Sequence, residues 1–386
     1  MLGAAISPAD GGVHVDAKLS IDDMPASQVL DFRRCICIIG ATYFFVMTTF
    51  VVPIACFTTC VLILMPLMFI NMKLFNKLEN ALCKLVNDHW VTTAYYCGLE
   101  IREYGTNVAN YVNDKCLYLA NHLGLIDHFI VMTALHTCGN VSGSWMWVIY
   151  NIWKFTPLGA MWILHGNFFV NGGLNQRIKL LKTFKEHLKK YFARHNYSWV
   201  VMYPEGSRFY LIRESAAAFA KKMGLKPLQH CAYPRTGAAH AVMEVLAPSK
   251  ENPSVARIGE GEPIKYIIDA TLGYPKGTVM DLASAIMGDF PNNDPSIAIH
   301  HEVIPVDPAW ADEERLQEFL YERYQKKNEL LDEFYRTGHF PGARRGVVNV
   351  NGWTMLKAQL FWAGAYYLHY IIWMRPIWQM LIASIF

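Results

Sequence analysis

At 386 residues the chain has room for one large domain or two modest ones. It is 53% apolar and only 17% charged, which suits a core with membrane-facing segments better than a wholly soluble protein. A formal net charge of +3 gives nucleic-acid binding no support. The nine cysteines show neither the paired Cys/His spacing of a zinc site nor the compact framework of secreted disulfides.

Met1 to Asp31 is polar and acidic, with Asp10, Asp16, Asp22, Asp23 and Asp31. It lacks the apolar core of a cleavable signal peptide, and residues 1–34 read as a disordered tail. From Cys35 to Ile70 there is no charged residue. A helix of that length, about 36 residues, would run roughly 54 Å against a hydrocarbon core of about 30 Å. Residues 35–85 therefore read as a membrane-anchoring helical segment with places to bend at Pro53 and Pro66. Arg33 and Arg34 precede the run, and Lys73, Lys77 and Lys84 follow it. Basic residues on both sides favour a hairpin or re-entrant pair with both ends cytosolic, with one tilted span as the competing reading.

Residues 86–310 alternate short strand-forming apolar runs with helical patterns, which predicts an α/β unit with a mixed central sheet flanked by helices. Strands are expected at Cys116–Ala120, Trp145–Tyr150, Met161–Leu164, Trp199–Tyr203 and Tyr266–Thr271, and around Ile297 and Ile299. Helices are expected at Ile126–His136, Leu174–Phe192 and Glu214–Met223. The second carries Arg177, Lys179, Lys182, Lys185, Lys189 and Lys190 on one face. That face is either solvated or turned toward anionic headgroups or phosphates. Residues 311–345 form a helical extension. Residues 346–386 form a C-terminal membrane segment, either spanning once or lying as a hairpin broken at Arg375-Pro376.

Four short blocks carry chemistry. In Asn121-His122-Leu123-Gly124-Leu125-Ile126-Asp127, His122 can take a proton from a hydroxyl, and Asp127 can fix its tautomer. On a regular helix the two side chains would diverge by roughly 140°. The pair therefore works only if Gly124 turns the chain, with His122 before the helix and Asp127 in its first turn. In Tyr203-Pro204-Glu205-Gly206-Ser207-Arg208, the Arg208 fork suits a phosphate, Gly206 permits close approach of a ligand, and Glu205 can bind a headgroup or orient Arg208. Ser207 lacks the GxSxG setting of a hydrolase nucleophile. Between these lies Gly166-Asn167-Phe168-Phe169-Val170, and after them Tyr233-Pro234-Arg235-Thr236-Gly237, where Arg235 is a second candidate phosphate ligand.

The order H-x4-D, GxxFV, PEGSR, PRTG in one apolar α/β segment behind a hydrophobic run resembles the motif blocks of the glycerolipid acyltransferase family. The lysophosphatidylglycerol acyltransferase branch is the nearest in pattern. Phe219-Ala220-Lys221-Lys222, Ile267 to Thr271, Tyr274-Pro275-Lys276 and Phe334-Tyr335…Gly338…Phe340-Pro341 look like that branch. The resemblance implies His122 as general base and Asp127 as its partner. It implies an acceptor site from Glu205, Gly206, Ser207 and Arg208 with Phe168 and Phe169, and an acyl-donor side around Pro234 and Arg235. It implies acyl-CoA as substrate with no cofactor or metal, a lysophospholipid as acceptor, a lipid bilayer as partner, and the endoplasmic reticulum membrane, with mitochondrial or associated membranes as the fallback. Backbone amides before the Asp127 helix are offered to the oxyanion. Trp145, Met146, Trp147, Trp153, Met161 and Trp162 either line an acyl slot or fill the core. Where many family members end the second block in arginine, this chain has Gly172. One cation fewer favours a phosphodiester headgroup over a phosphate monoester.

Overall fold

The structure, a computed structural model, describes residues 26–156, 159–171, 177–258 and 261–385. Most of the expected polar tail, Gly172 and Leu174 lie outside the described residues.

The N-terminal helices α1 (Ala26–Val46), α2 (Val52–Thr59) and α3 (Met65–Ile70) run end to end through π-helical turns at Met47–Val51 and Cys60–Leu64. The expected hairpin is absent. Pro53 and Pro66 each fall just after one of these wide turns. The extra residue in the turn absorbs the carbonyl clash and missing N–H that a proline imposes, so the helix bends without breaking. Phe32–Ile70 is 39 residues long with a mean hydropathy of 2.4, long and apolar enough to cross a membrane. The helix α4 (Met72–Cys97) follows; its N-cap Asn71 accepts from Leu74 N, and its sequence mixed enough charge into the apolar pattern to hide its length.

Eight strands form one mixed sheet: β1 (Glu100–Gly105), β2 (Cys116–Ala120), β3 (Trp145–Tyr150), β4 (Phe168–Val170), β5 (Trp199–Met202), β6 (Tyr266–Gly273), β7 (Ser296–Pro305) and β8 (Arg344–Val347). Their order is β4-β3-β5-β2-β6-β7-β1-β8. The first five in that order run parallel, so β2, β3, β4 and β5 all end at one carboxyl edge. Ligands bind at that edge in open α/β sheets. The expected strand at Met161–Leu164 is instead part of a helix, α7 (Gly159–Leu164). Four apolar residues carry too little periodicity to separate the two states.

The remaining helices are α5 (Asp127–Leu135), α6 (Val141–Ser144), α7 (Gly159–Leu164), α8 (Arg177–Tyr191), α9 (Phe209–Lys222), α10 (Gly237–Leu246), α11 (Leu282–Met287), α12 (Glu313–Thr337), α13 (Gly352–His369) and α14 (Arg375–Ile385). Side chains alternate across the sheet: Tyr118, Trp199 and Ile268 pack toward α4, α5 and the N-terminal helices, and Leu117, Val200 and Ile267 toward α8 and α10. The helix α12 grips the sheet behind the carboxyl edge. The buried Lys327 pairs with Asp269 at 2.5 Å and donates to Ala270 O, and Tyr324 donates to Ala120 O. Desolvation offsets much of the attraction in a buried pair of this kind, so it adds little net stability. At the C-terminus, α13 and α14 join through a π-helical turn ahead of Pro376, so no break occurs at Arg375-Pro376. The helix α13 docks on α2 and α4 through Thr59 Oγ1 and His369 Nε2 at 2.9 Å and through Trp362 Nε1 donating to Leu85 O.

Candidate active site

The chain leaves β2 through Asn121, whose amide replaces a ladder partner: Oδ1 accepts from Leu272 N at 2.7 Å and Nδ2 donates to Leu272 O at 3.1 Å. His122 comes next, outside the sheet, and Asp127 opens α5. The turn between them needs Gly124, because a Cβ there would collide with Val279. His122 Nδ1 donates to Asp127 Oδ2 at 2.8 Å. The same oxygen accepts from Leu123 N at 2.7 Å and Gly124 N at 3.0 Å, and Oδ1 accepts from the Tyr274 hydroxyl at 2.6 Å. Four donors and the helix N-terminus thus hold a fully buried carboxylate. With Nδ1–H committed to Asp127, Nε2 is the ring nitrogen left for a substrate. The ring stays partly open, with 14% of its side chain exposed, and stacks on Tyr203 at 4.4 Å.

Glu205 was expected at the acceptor, but it is buried and faces inward. Its Oε1 accepts from His122 N at 2.8 Å and its Oε2 from Ala232 N at 3.0 Å. The side chain therefore ties the first block to the stretch leading into the fourth. Burial pushes its carboxyl up to about 8, against the pull of those two amides and of Lys327. Gly206 sits at φ +75°, where the Arg235 side chain packs over it: a Cβ would lie 3.1 Å from Arg235 Cδ. Arg235 N donates to Pro204 O at 2.7 Å. Ser207 and Arg208 are half-buried, and the Arg208 guanidinium lies over the Tyr210 ring at 5.4 Å. Pro234 is buried and Arg235 exposed.

The first, third and fourth blocks are thus one interlocked set of loops. The second is not part of it. It forms β4 at the end of the sheet, with β3 and β5 between it and β2. Phe168, expected beside the acceptor, packs against Phe184 and His187 on the face of α8. Phe169 is half-buried, with Lys154 Nζ over its ring at 4.8 Å. The amides of Leu123 and Gly124, offered to an oxyanion by the sequence, point at Asp127 instead. Trp145, Met146, Trp147, Trp153, Met161 and Trp162 are buried core residues. A separate apolar crevice lies between α4, α5 and α11, lined by Trp90, Ala94, Ile126, Phe129, Ile130 and Phe290 among others. Ile126 places that crevice next to the Asp127 turn.

Two residues beside the pair were given no role by the sequence. Tyr274 lies 147 residues from the carboxylate it serves, so only the fold joins them. His128 is buried between Trp147, Trp153 and Tyr203, with ring centroids 6.0 Å from His122. Burial and the neighbouring His122 hold its pKa well below the ordinary histidine value, so it stays neutral. Away from the site, Glu79, Cys83 and His165 bring three potential metal ligands within 4.8 Å of one another. Both His165 ring nitrogens already face oxygen acceptors, Glu79 Oε1 and Trp145 O, each at 2.5 Å. Burial opposes the charge, but Cys83 and Glu79 raise its pKa well above normal.

A family model described as Acyltransferase matches residues 100–256, and one described as Acyltransferase C-terminus matches 293–362. A Caenorhabditis elegans protein, provisionally named a 1-acyl-sn-glycerol-3-phosphate acyltransferase, is 54% identical over 351 residues, covering 91% of this chain and 89% of the relative. The mouse acyl-CoA:lysophosphatidylglycerol acyltransferase 1 is 29% identical, covering 85% of this chain and 92% of its own length. A solved structure of a 1-acyl-sn-glycerophosphate acyltransferase from Thermotoga maritima aligns with a TM-score of 0.41 at 13% identity, covering 77% of this chain and 97% of that one.

Proposed function

The chain belongs to the glycerolipid acyltransferase family and is an acyltransferase, and we propose that it transfers an acyl group from acyl-CoA to the free hydroxyl of a lysophospholipid. The observation that carries this reading is the His122 Nδ1–Asp127 Oδ2 bond, which leaves Nε2 on a partly open ring. Nε2 takes the proton from the acceptor hydroxyl as its oxygen attacks the thioester carbonyl. Asp127 stabilises the resulting imidazolium. The tetrahedral intermediate collapses, the carbon–sulfur bond breaks, and the proton passes to the departing CoA thiolate. Acyl-CoA is a substrate here, and the steps call on no cofactor.

Arg208 grips the acceptor phosphate as a fork, with Gly206 and Ser207 beside it. Glu205 acts indirectly by holding His122 and the Ala232 loop together. The acyl chain enters the crevice beside Ile126, and Pro234 and Arg235 belong to the donor side. We assign a headgroup-bearing acceptor of the lysophosphatidylglycerol or lysophosphatidylethanolamine type. The name of the nematode relative favours a second reading, 1-acylglycerol-3-phosphate as acceptor. We further propose that Phe32–Ile70 anchors the enzyme in the endoplasmic reticulum membrane with the catalytic domain on the cytosolic side. The exposed apolar residues of α13 and α14, such as Leu360, Tyr367 and Trp378, support a second lipid contact.

The test is acyl transfer by the purified full-length protein with a mixture of lysolipids and acyl-CoAs, read by mass spectrometry. Headgroup-bearing lysolipids are acylated, and His122→Ala loses at least 1,000-fold in rate, an order-of-magnitude expectation for removing a general base. Exclusive acylation of 1-acylglycerol-3-phosphate would replace the first reading with the second. Fatty acid released without CoA dependence would overturn both.

A further inference from the structure

The helix α9 begins immediately after Arg208, and among its described residues only Phe209 and Ala220 are buried. Tyr210 is 59% exposed, Leu211 56%, Met223 just beyond its end 47%, and Phe219 40%. A 14-residue helix with so little tertiary packing is marginal in water, because helical stability in proteins comes mostly from burying an apolar face. At about 100° per residue, Leu211, Phe219 and Met223 fall within roughly 120° of one another around the axis, an arc that also holds Lys222, while Glu214 lies outside it, about 140° from Phe219. Between Phe209 and Lys226 the basic residues are Arg213, Lys221, Lys222 and Lys226, against the single acid Glu214.

We propose that α9 is an interfacial helix that lies on the anionic bilayer surface, with Leu211, Phe219 and Met223 buried among the acyl chains and its lysines at the headgroups. The inference rests on the reading of the substrate as a membrane lysolipid and says how that lipid reaches the site. Three features select lipid as the occupant of this face. Its charge complements an anionic surface. It follows directly on Arg208, so a phosphate leaving the headgroup layer meets Arg208 at the first turn. It also shares the carboxyl edge of the sheet with the turn after β3, where Tyr150, Ile152 and Phe155 are exposed. Past that turn, Cys60 of the long apolar helix touches Met161 of α7, so the edge adjoins the anchor. Docking also bears on the proton-transfer pair, because Phe209 N donates to His122 O at 2.8 Å. The lipid surface that orders α9 thereby steadies the loop that carries His122.

The experiment uses the full-length chain in a Cys35→Ser background, Cys35 being the exposed thiol among the described cysteines. Phe219→Cys and, separately, Glu214→Cys are labelled with bimane and reconstituted in vesicles of phosphatidylcholine and phosphatidylglycerol. Some of the lipids carry a nitroxide on the acyl chain. The label at 219 is quenched at least twofold more than the label at 214, and aqueous iodide reverses that order. Equal exposure of both labels to iodide overturns the proposal. Shielding of position 219 from iodide without lipid quenching means a protein covers the face, and overturns it as well. Leu211→Ser with Met223→Ser raises KM for bilayer-embedded lysolipid about tenfold with kcat retained, and an unchanged KM counts against docking. The quenching needs no turnover, so a protein that docks but transfers no acyl group sinks the reaction and leaves this surface standing.

Discussion

Tyr274→Phe isolates the least legible part of the site. The substitution removes one oxygen and keeps the ring, which is fully enclosed in the core beside Asp127. It deletes the 2.6 Å bond to Asp127 Oδ1 and leaves the three donors on Oδ2 in place. Oδ1 then has no partner in a site that water does not reach. A hydrogen bond to a buried charge contributes about 1.5–3 kcal/mol. At about 1.4 kcal/mol per decade, losing the whole of it during proton transfer lowers kcat roughly 10- to 150-fold. The acceptor KM should stay within about twofold, because Tyr274 touches the carboxylate and not the phosphate grip. The assay is steady-state acyl transfer at saturating acyl-CoA with the acceptor titrated, beside a thermal-unfolding measurement. A Tyr274→Phe enzyme with full kcat and unchanged stability would refute the claim that Asp127 must be held from both oxygens.

The remaining predictions concern the same loops. Asp127→Asn places an amide nitrogen among four donors, and kcat should fall by about 1,000-fold or more even if the protein folds; near-normal turnover would exclude Asp127 from proton transfer. Glu205 holds its proton up to about pH 8 when folded, against about 4.5 for an unfolded carboxyl, so the folded state binds more protons between those values. Stability from this group therefore falls as pH rises from about 4.5 to about 8 and levels off above. Glu205→Gln should flatten that slope in thermal melts. Activity should rise through about pH 8 as the carboxyl ionises and its bonds from His122 N and Ala232 N strengthen, and Glu205→Gln should lack that rise; an identical profile in the variant would assign the rise elsewhere. Gly206→Ala forces a side chain into the left-handed region against Arg235, which should cost about 1–2 kcal/mol of stability and raise the acceptor KM.

The sequence alone determined what is local. Strand β2, strand β3 and the start of β5 follow from short runs of strand formers, and the blocks at their ends carry their chemistry in neighbouring residues. The spacing of His122, Gly124 and Asp127 was enough to require a turn before a helix, because a regular helix would part the two side chains. The tertiary structure decided whatever depends on partners far along the chain. Glu205 looked like a ligand for a headgroup until the approach of His122 N and Ala232 N turned it into an internal brace. Phe168 and Phe169 alternate across a strand, so only one of two adjacent aromatic residues can face the same side, and their sheet position leaves two strands between them and β2. The polar strands β1, held between β7 and β8, and β8, at the sheet edge, gain their hydrogen bonds only from the chain beside them, and Met161–Leu164 packs against the anchor as a helix. Propensity is a property of a few neighbouring residues. Burial and hydrogen-bond partnership belong to the folded whole, and for that reason Tyr274 could be found only where the chain comes back to Asp127.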